Sequence, residues 1–249
     1  MTQGVTSSAL LLEGQVAVVT GASGGIGRAI VALLARQGAA VCASGRNPER
    51  LAETVKLAQL RSRLLPFAAD LLEEHSIERF EQFLSAEFGR VDILVHCAGM
   101  LRHNLMETAS VEDLDLQYAA DLRMPYVLTQ RLLSMLKQSQ GQIVFINSSL
   151  AASARRPEVG QYAAVHHGLK AIADSLREEV NPSGIRILSV YSGRTATPLQ
   201  KRIYEQEGKH YRPETLLQPE DIASVVINSL VLPRTAEVTD IHIRPMRKT

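Results

Sequence analysis

The sequence contains no tryptophan and only two cysteines, and aromatic residues make up 4% of its 249 positions. Two cysteines without a Cys-x-x-Cys pair exclude a disulfide-rich scaffold and a cysteine zinc site. Cys42 and Cys97 each lie in an apolar, strand-like run, so we expect reduced thiols in the core. The formal net charge of +1 gives no electrostatic support for nucleic-acid binding. No apolar run approaches the roughly 20 residues that a membrane-spanning helix needs.

The N-terminal residues MTQGVTSSALLLEG also lack a basic segment followed by a long apolar core. We therefore expect no secretory signal and a cytoplasmic protein. Hydrophobic residues account for 45% of the chain, which argues against disorder. Because this length can form one α/β domain with a large core, and no linker or repeat interrupts it, the sequence predicts a single domain over 1–249.

Short apolar runs alternate with longer amphipathic patterns along the chain. The predicted strands are 16–20, 40–45, 64–69, 92–97, 142–147, 185–191 and 238–243. The predicted helices are 25–37, 48–61, 74–88, 110–137, 160–180 and 220–231. Strands without polar alternation are typical of a parallel sheet buried on both faces, and repeated β–α units place helices on each face. The pattern therefore predicts a three-layer, doubly wound α/β fold.

A glycine-rich turn follows the first predicted strand, where residues 20–27 read TGASGGIG. Gly21 permits a tight turn, Gly25 lets the backbone approach a ligand, and Gly27 lets helix and strand pack closely. The first amides of the next helix have no partner within that helix, and the helix dipole favours negative charge there. The turn therefore predicts a pocket for the diphosphate of a nucleotide.

Further motifs follow the glycine turn in order: Asp70 after the third strand, HCAG at 96–99, INSS at 146–149, Tyr162, and SGRTATP at 192–198. Together they resemble the short-chain dehydrogenase/reductase family over essentially the whole chain. The resemblance implies a Rossmann fold with a seven-stranded parallel sheet in the order 3-2-1-4-5-6-7. It also implies NAD(P)-dependent interconversion of a carbonyl and an alcohol, and a homo-oligomer, either a dimer or a tetramer.

The end of the second strand bears on the choice of cofactor. NAD-preferring members of the family usually carry an acidic residue there, and this chain has Gly45 followed by Arg46. A guanidinium can pair with the 2′-phosphate of NADP(H), whereas a carboxylate would repel it, so we expect NADP(H) in preference to NAD(H). An alternative is that Arg46 is only a solvated loop residue. The candidate cofactor-binding residues are Gly21, Ser23, Gly25, Ile26, Gly27, Ser44, Arg46, Asp70, Leu71, Cys97, Ala98, Gly99, Tyr162, His166, Gly193 and Thr195.

Tyr162 matches the family's general acid, which donates its phenol proton to a carbonyl oxygen or accepts a proton in the alcohol direction. Ser149, thirteen residues earlier, matches the serine that orients the same oxygen, and Ser148 is the less favoured of the two hydroxyls. By the resemblance, Asp70 contacts the adenine, the backbone of 97–99 passes the nicotinamide ribose, and Thr195 approaches the carboxamide.

Two positions depart from the family pattern. The family reads Tyr-x-x-x-Lys, but this chain has His166 at the lysine position, and Asp121 replaces a family asparagine. We hypothesise that Asp121 and His166 approach each other, so that the carboxylate favours imidazolium and restores part of the lost cation. The alternative is independent drift in a protein that kept cofactor binding and lost efficient turnover. Adjacent His166 and His167 diverge on a helix, so no metal site is expected.

The segment 192–218 after the sixth strand is predicted to form a lid, with Leu199, Ile203, Tyr204 and Tyr211 lining an apolar entrance or packing within it. The favoured function is NADP(H)-dependent reduction of a ketone or aldehyde. A catalytically impaired nucleotide-binding sensor or assembly partner is the second hypothesis, and a scaffold without nucleotide affinity is the third.

Overall fold

The computed structural model describes residues 10–58, 62–73 and 75–247, which contain one seven-stranded parallel sheet. The strands are β1 Val16–Val19, β2 Ala40–Gly45, β3 Leu64–Ala68, β4 Ile93–His96, β5 Gln142–Ser148, β6 Arg186–Ser192 and β7 Asp240–Ile243. Their order is β3-β2-β1-β4-β5-β6-β7, and every neighbouring pair is parallel. The predicted doubly wound fold and its strand order are confirmed.

Eight α-helices connect and flank the strands in the described part of the chain. They are α1 Gly25–Arg36, α2 Pro48–Leu57, α3 Ser76–Glu87, α4 Val111–Tyr118, α5 Met124–Ser139, α6 Gly160–Val180, α7 Pro198–Gln206 and α8 Pro219–Leu230. The predicted helix 48–61 ends earlier than expected, and its positions 59–61 lie outside the described residues.

Alternate residues of the central strands face two separate cores, because side chains on a strand point to opposite faces in turn. Ala17 and Val19 of β1 pack with residues of α1 and α8 on one face. Val18, between them, packs on the other face with residues of α3, α5 and α6. The edge strands β3 and β7 are less buried than this, since each has a neighbour on one side only.

The predicted helix 110–137 is broken by a π-helical segment at Ala119–Arg123, between α4 and α5. Single π-helical turns inside helices are frequent at functional sites. This one contains Asp121, whose side chain it directs toward the loop after β4.

The carboxyl ends of β1, β4, β5 and β6 meet at one edge of the sheet. Val19 pairs with Val95, His96 with Phe145, and Ser148 with Ser192. Ligands in open α/β sheets bind outside these ends. The strand register therefore brings the predicted motifs into one cleft.

Both cysteines are free thiols, and burial raises the pKa of Cys42 and of Cys97, the latter to about 12. None of the helices in the described ranges is long and apolar enough to cross a membrane.

Candidate functional site

The glycine turn joins the end of β1 to the start of α1 and lies directly against the loop after β4. The Thr20 hydroxyl accepts hydrogen bonds from the amides of Cys97 and Ala98, both at 3.1 Å. Gly21 has a φ of +68°, and a Cβ atom built on it would lie 2.6 Å from the Ala98 nitrogen. A Cβ atom on Gly27 would collide with the Gly21 carbonyl oxygen. Both positions therefore require glycine, in the geometry predicted from the sequence.

The amino end of α1 is open to an anion. No side chain among the described residues caps it at Gly24, and its first turn contains no acidic residue. The nearest side chain to a Cβ atom built on Gly25 is Thr197, whose methyl carbon would be 3.0 Å away. Unpaired amides at a helix start, with a glycine that admits a close neighbour, suit a phosphate group.

The end of β2 has no room for a side chain at position 45. A Cβ atom on Gly45 would collide with the Ser23 hydroxyl oxygen, so an acidic residue could not stand there without displacing Ser23. Arg46 is 73% exposed, and its Nη1 lies 3.9 Å from Oδ2 of Asp70. Arg50, which the sequence analysis did not single out, brings its Nη2 to 3.1 Å from a Cβ atom built on Gly24. Arg46 and Arg50 thus place two cations near the adenosine end of the cleft.

Three of the predicted cofactor contacts have side chains that lie wholly or partly in the packed interior. Ser44 is almost fully buried beneath the turn, and its carbonyl oxygen accepts a hydrogen bond from the Ala22 amide. Leu71 is buried in the core beside α3, and Ile26 is partly buried against the opposite core. These residues shape the cleft through their backbone and their packing.

Tyr162 lies in the first turn of α6, and its hydroxyl faces the side chain of Ser148, the last residue of β5. Ser148 is 8% exposed, and its Oγ also accepts a hydrogen bond from the Leu150 amide at 3.2 Å. Ser149 is exposed at the start of a 3-10 turn, Ser149–Ala151. The structure therefore differs from the prediction for Ser149: β5 runs one residue further than predicted, and its last residue, Ser148, is the one that meets Tyr162.

His166 lies one helical turn after Tyr162, and the two ring centroids are 4.1 Å apart. Its Nδ1 lies 2.8 Å from Oδ1 of Asn147, which also accepts the Ser148 amide at 2.7 Å. Nδ2 of Asn147 donates to the His166 carbonyl oxygen at 3.2 Å. Because Oδ1 can only accept, Nδ1 of His166 carries a proton, and Nε2 is the free position of the neutral ring. Asn147 was missed by the sequence analysis, although it lies within the INSS motif.

Asp121 faces His166 as hypothesised, with Oδ2 3.8 Å from Nε2. Its Oδ1 accepts the Met100 amide at 2.9 Å, while Oδ2 has no hydrogen-bond partner among the described residues. A Cβ atom built on Gly99 would lie 3.0 Å from Oδ1, so glycine leaves room for this carboxyl group. The carboxyl group is 2% exposed.

The charge state expected for this pair is wrong, although the approach of the two groups is confirmed. Burial raises the pKa of Asp121 to about 8, against a smaller lowering by the Met100 amide. Burial, with a smaller contribution from His167, lowers the pKa of His166 to about 4. A separation of 3.8 Å falls within ion-pair range, but it is too long for the direct hydrogen bond that would offset the desolvation of both charges. Near neutral pH the pair is therefore a carboxylic acid facing a neutral imidazole.

The same burial keeps Tyr162 protonated. Burial is the main cause that raises the pKa of Tyr162, and the charge of Asp121 adds to it when that group ionises. The neighbouring Ser148 hydroxyl lowers the pKa of Tyr162, but this effect is outweighed by burial. The phenol is thus a proton donor across the neutral range.

The Thr195 hydroxyl turns into its own loop, and Thr197 is the threonine that lies at the glycine turn. The Thr195 hydroxyl is buried and donates to the Gly193 carbonyl oxygen at 3.1 Å within its own loop. Thr197 caps α7 by accepting the Gln200 amide at 3.1 Å, and it faces Gly25 across the cleft. The loop turns back on itself after Gly193, which brings the later threonine to the glycine turn.

The predicted lid over 192–218 contains α7 and folds over the cleft at Thr197. Ile203 and Tyr204 are buried, and the Tyr204 and Tyr211 rings contact each other edge to face at 5.6 Å. These side chains, with half-buried Leu199, pack within the lid, which was the alternative to an apolar entrance. Within residues 10–58, 62–73 and 75–247, no three His, Cys, Asp or Glu side chains are grouped so as to hold a metal ion.

Comparison with known proteins places these features in context. The sequence profile described as short chain dehydrogenase matches residues 15–208. An uncharacterized oxidoreductase of Staphylococcus epidermidis is 31% identical over 233 residues, which cover 93% of this chain and 97% of that protein. An alcohol dehydrogenase from Thermococcus sibiricus, solved with 5-hydroxy-NADP, is 28% identical with a TM-score of 0.84 over 94% of this chain and 98% of that one. A metagenomic short-chain oxidoreductase solved with NADP is also 28% identical, with a TM-score of 0.81 over 96% and 100%.

Proposed function

The chain belongs to the short-chain dehydrogenase family of oxidoreductases, and we propose that it uses NADP(H) to interconvert a carbonyl and an alcohol, with reduction of a ketone or aldehyde as its main direction. The observation that carries this proposal is the position of the protonated Tyr162, whose hydroxyl faces Ser148 and whose ring lies against His166 at the edge of the cleft that the glycine turn opens.

The cleft fits the dinucleotide on three counts. The amides at the start of α1 are free for the diphosphate, and Gly21 and Gly27 hold the turn close to the loop after β4. Arg46 and Arg50 supply positive charge for a 2′-phosphate, and Gly45 places no repelling carboxylate at the end of β2. Two solved structures that resemble this chain contain NADP or 5-hydroxy-NADP, which supports the same choice.

In the proposed reaction the reduced cofactor supplies the hydride. Tyr162 donates its phenol proton to the carbonyl oxygen, and Ser148 orients that oxygen toward the phenol. His166 supports the Tyr162 ring, and Asn147 fixes the orientation of the imidazole. The protonated carboxyl group of Asp121 faces the unprotonated Nε2 of His166 across 3.8 Å, and it is the nearest proton reserve to this end of the site.

One observation favours a second candidate, a catalytically impaired NADP(H)-binding protein that acts as a sensor or assembly partner. The family lysine lowers the pKa of its tyrosine by a nearby positive charge, whereas His166 is neutral and buried. Without that charge the tyrosinate is harder to form. Oxidation of an alcohol, which needs the tyrosinate as its base, is therefore disfavoured more strongly than reduction of a carbonyl. The two candidates differ in turnover.

The decisive experiment follows NADPH consumption against a panel of ketones and aldehydes, beside calorimetric titrations with NADPH and NADH. Turnover of any carbonyl compound supports the reductase. Micromolar NADPH binding without turnover supports the impaired protein. If neither dinucleotide binds at millimolar concentration, both proposals fail.

Replacing Arg46 by serine is expected to weaken NADPH binding about tenfold relative to NADH, because a charge-assisted hydrogen bond to the 2′-phosphate is lost. The ratio of the two dissociation constants, measured by calorimetry, checks this. Arg36→Ser is the matched control, since Arg36 is an exposed arginine at the far end of α1 from the glycine turn. An unchanged ratio in Arg46→Ser would mean that Arg46 is a solvated loop residue.

The two adjacent serines make a paired test of the site. Ser148→Ala is expected to lower kcat/KM for carbonyl reduction about 10²-fold, as when one donor to a reacting oxygen is removed. Ser149→Ala, at an exposed turn, is expected to stay within about twofold of the wild type. The reverse ranking would restore the assignment made from sequence spacing alone.

We also propose that the protein forms a homo-oligomer, a dimer or tetramer. Exposed apolar side chains are concentrated in and around α4 and support this: Leu105, Met106, Val111, Leu114, Leu116, Tyr118 and Tyr126. Light scattering on the purified chain measures the state directly.

A further inference from the structure

A cluster of charged side chains lies under the lid, beside the proposed catalytic residues. Glu207, which follows α7 and is 11% exposed, accepts hydrogen bonds from Arg194 at 2.7 and 2.9 Å and from Lys209 at 2.7 Å. Nη2 of Arg156 lies 3.3 Å from the same carboxylate. Burial alone would raise the pKa of Glu207, but the Lys209 and Arg194 contacts outweigh it and lower the value to about 2. Three cations therefore surround Glu207, and Glu158, whose charge also acts on His103, is the second carboxylate of the cluster, which leaves an excess of one positive charge.

His103 links this cluster to Tyr162. Its ring lies 6.4 Å from the Tyr162 ring, at 80°, and its side chain is 10% exposed. Nη2 of Arg156 also lies 3.3 Å from Nδ1 of His103. Arginine can only donate, so Nδ1 is the acceptor and the proton of the neutral ring is on Nε2. Burial, followed by the charge of Arg156, lowers the pKa of His103 and keeps the ring neutral.

Nε2 of His103 is buried and has no hydrogen-bond partner in the part of the chain that the structure describes. The same is true of Nη1 of Arg194, whose guanidinium packs over the Tyr204 ring at 4.8 Å. A buried donor that makes no hydrogen bond destabilises the folded state. A ligand that supplies acceptor oxygens here would remove that cost, and the excess positive charge selects an anionic one.

We propose that His103 and Arg194, together with Arg156, bind a carboxylate of the substrate, so that the enzyme acts on oxo acids and the corresponding hydroxy acids. This rests on the proposed reductase function and adds the substrate class to it. The carboxylate takes no part in the redox step. The carbonyl carbon of the oxo acid gains a hydride from NADPH, its oxygen gains the Tyr162 proton, and the products are a hydroxy acid and NADP⁺.

The alternative is that the cluster only fastens the lid, through Glu207. In that case, loosening it would affect charged and uncharged substrates equally. The two roles are separated by comparing an oxo acid with its own methyl ester, because the ester keeps the carbonyl and loses the negative charge.

The test uses pyruvate and acetoacetate, each beside its methyl ester, with NADPH in excess. Wild-type kcat/KM is expected to be at least about tenfold higher for the acids. His103→Phe and Arg156→Gln are each expected to lower the acid-to-ester ratio about tenfold, since each removes a donor to a charged group. Arg202→Gln is the matched control. It removes an exposed charge from α7, the helix of the lid, and is expected to leave the acid-to-ester ratio unchanged.

Calorimetric titration of acetoacetate into the protein saturated with NADP⁺ gives a readout without turnover, and Arg156→Gln should weaken this binding about tenfold. Equal wild-type use of acids and esters, or ratios unchanged in both variants, would overturn the oxo-acid assignment while the reductase function stands. If no carbonyl compound is reduced, the reductase function fails, and the titration alone then decides whether the carboxylate site exists.

Discussion

Replacing Tyr162 by phenylalanine is expected to lower NADPH-dependent carbonyl reduction by about 10³-fold, as expected for loss of a general acid. The substitution removes only the hydroxyl that contacts Ser148 and leaves the ring against His166 and His103. NADPH binding should therefore change little. Initial rates of NADPH consumption and a calorimetric titration measure the two effects separately.

Tyr126→Phe is the control for this variant, since it removes a phenol from a half-exposed ring on α5 and should retain full activity. A Tyr162→Phe enzyme with more than a tenth of the wild-type rate would show that another group protonates the substrate. Loss of NADPH binding together with activity would show that the phenol holds the cofactor and is not the acid.

The features that could be predicted from the sequence are those that depend on a short run of consecutive residues. The turn at 20–27 needs only a strand, three spaced glycines and an amphipathic helix, and Gly21 and Gly27 indeed lie where a Cβ atom would collide with backbone. The approach of Asp121 and His166 was also predictable, because both positions are known from the motifs that flank them. Their charge state was not, since spacing does not report that both groups are more than nine-tenths buried.

The end of β5 accounts for the shift from Ser149 to Ser148. Counting back from Tyr162 selects Ser149, but β5 continues through Ser148, and neighbouring residues on a strand face opposite ways. The orientation of Thr195, whose hydroxyl donates to the Gly193 carbonyl oxygen, also depends on the course of a loop that follows a strand end. A one-residue error at the end of a strand reverses the direction of a side chain, and sequence patterns locate such ends least reliably.

The cluster under the lid had no sequence signal at all. His103, Arg156, Arg194 and Glu207 come from four connecting segments separated by up to about a hundred residues, and each alone reads as a solvated loop residue. The fold brings them together because the loops after β4, β5 and β6 all emerge at the same sheet edge.

Asp121→Asn is expected to stabilise the protein increasingly as the pH rises from about 4 to about 8. A carboxyl group whose folded pKa is raised to about 8 keeps its proton in the folded state over a range in which the unfolded chain loses it. The contribution of this carboxyl group to stability is therefore fully present below its unfolded pKa, near 4. It is lost as pH rises through its folded pKa. One such proton changes the unfolding free energy by up to about 1.4 kcal/mol per pH unit.

Asparagine cannot ionise, and its side-chain oxygen still accepts the Met100 amide, so the variant does not lose stability in this way. The difference in Tm between Asp121→Asn and the wild type should grow by about 5 °C or more between pH 5 and pH 8.5, which thermal unfolding in matched buffers measures.

His166 titrates with the opposite sign and does not obscure this result. Its folded pKa of about 4 lies below the usual value near 6.5, so burial of the imidazole makes stability rise with pH over that interval. His166 changes stability over the same pH interval and with the same sign in the wild type and in Asp121→Asn. Its effect therefore cancels in the difference between their Tm values. If Asp121 were instead an anion paired with imidazolium, replacing it would remove a favourable charge interaction, and the variant would be the less stable protein near neutral pH. If the Tm of Asp121→Asn minus that of the wild type falls as pH rises, the result would support an ion pair between Asp121 and His166. It would also support a cation beside Tyr162.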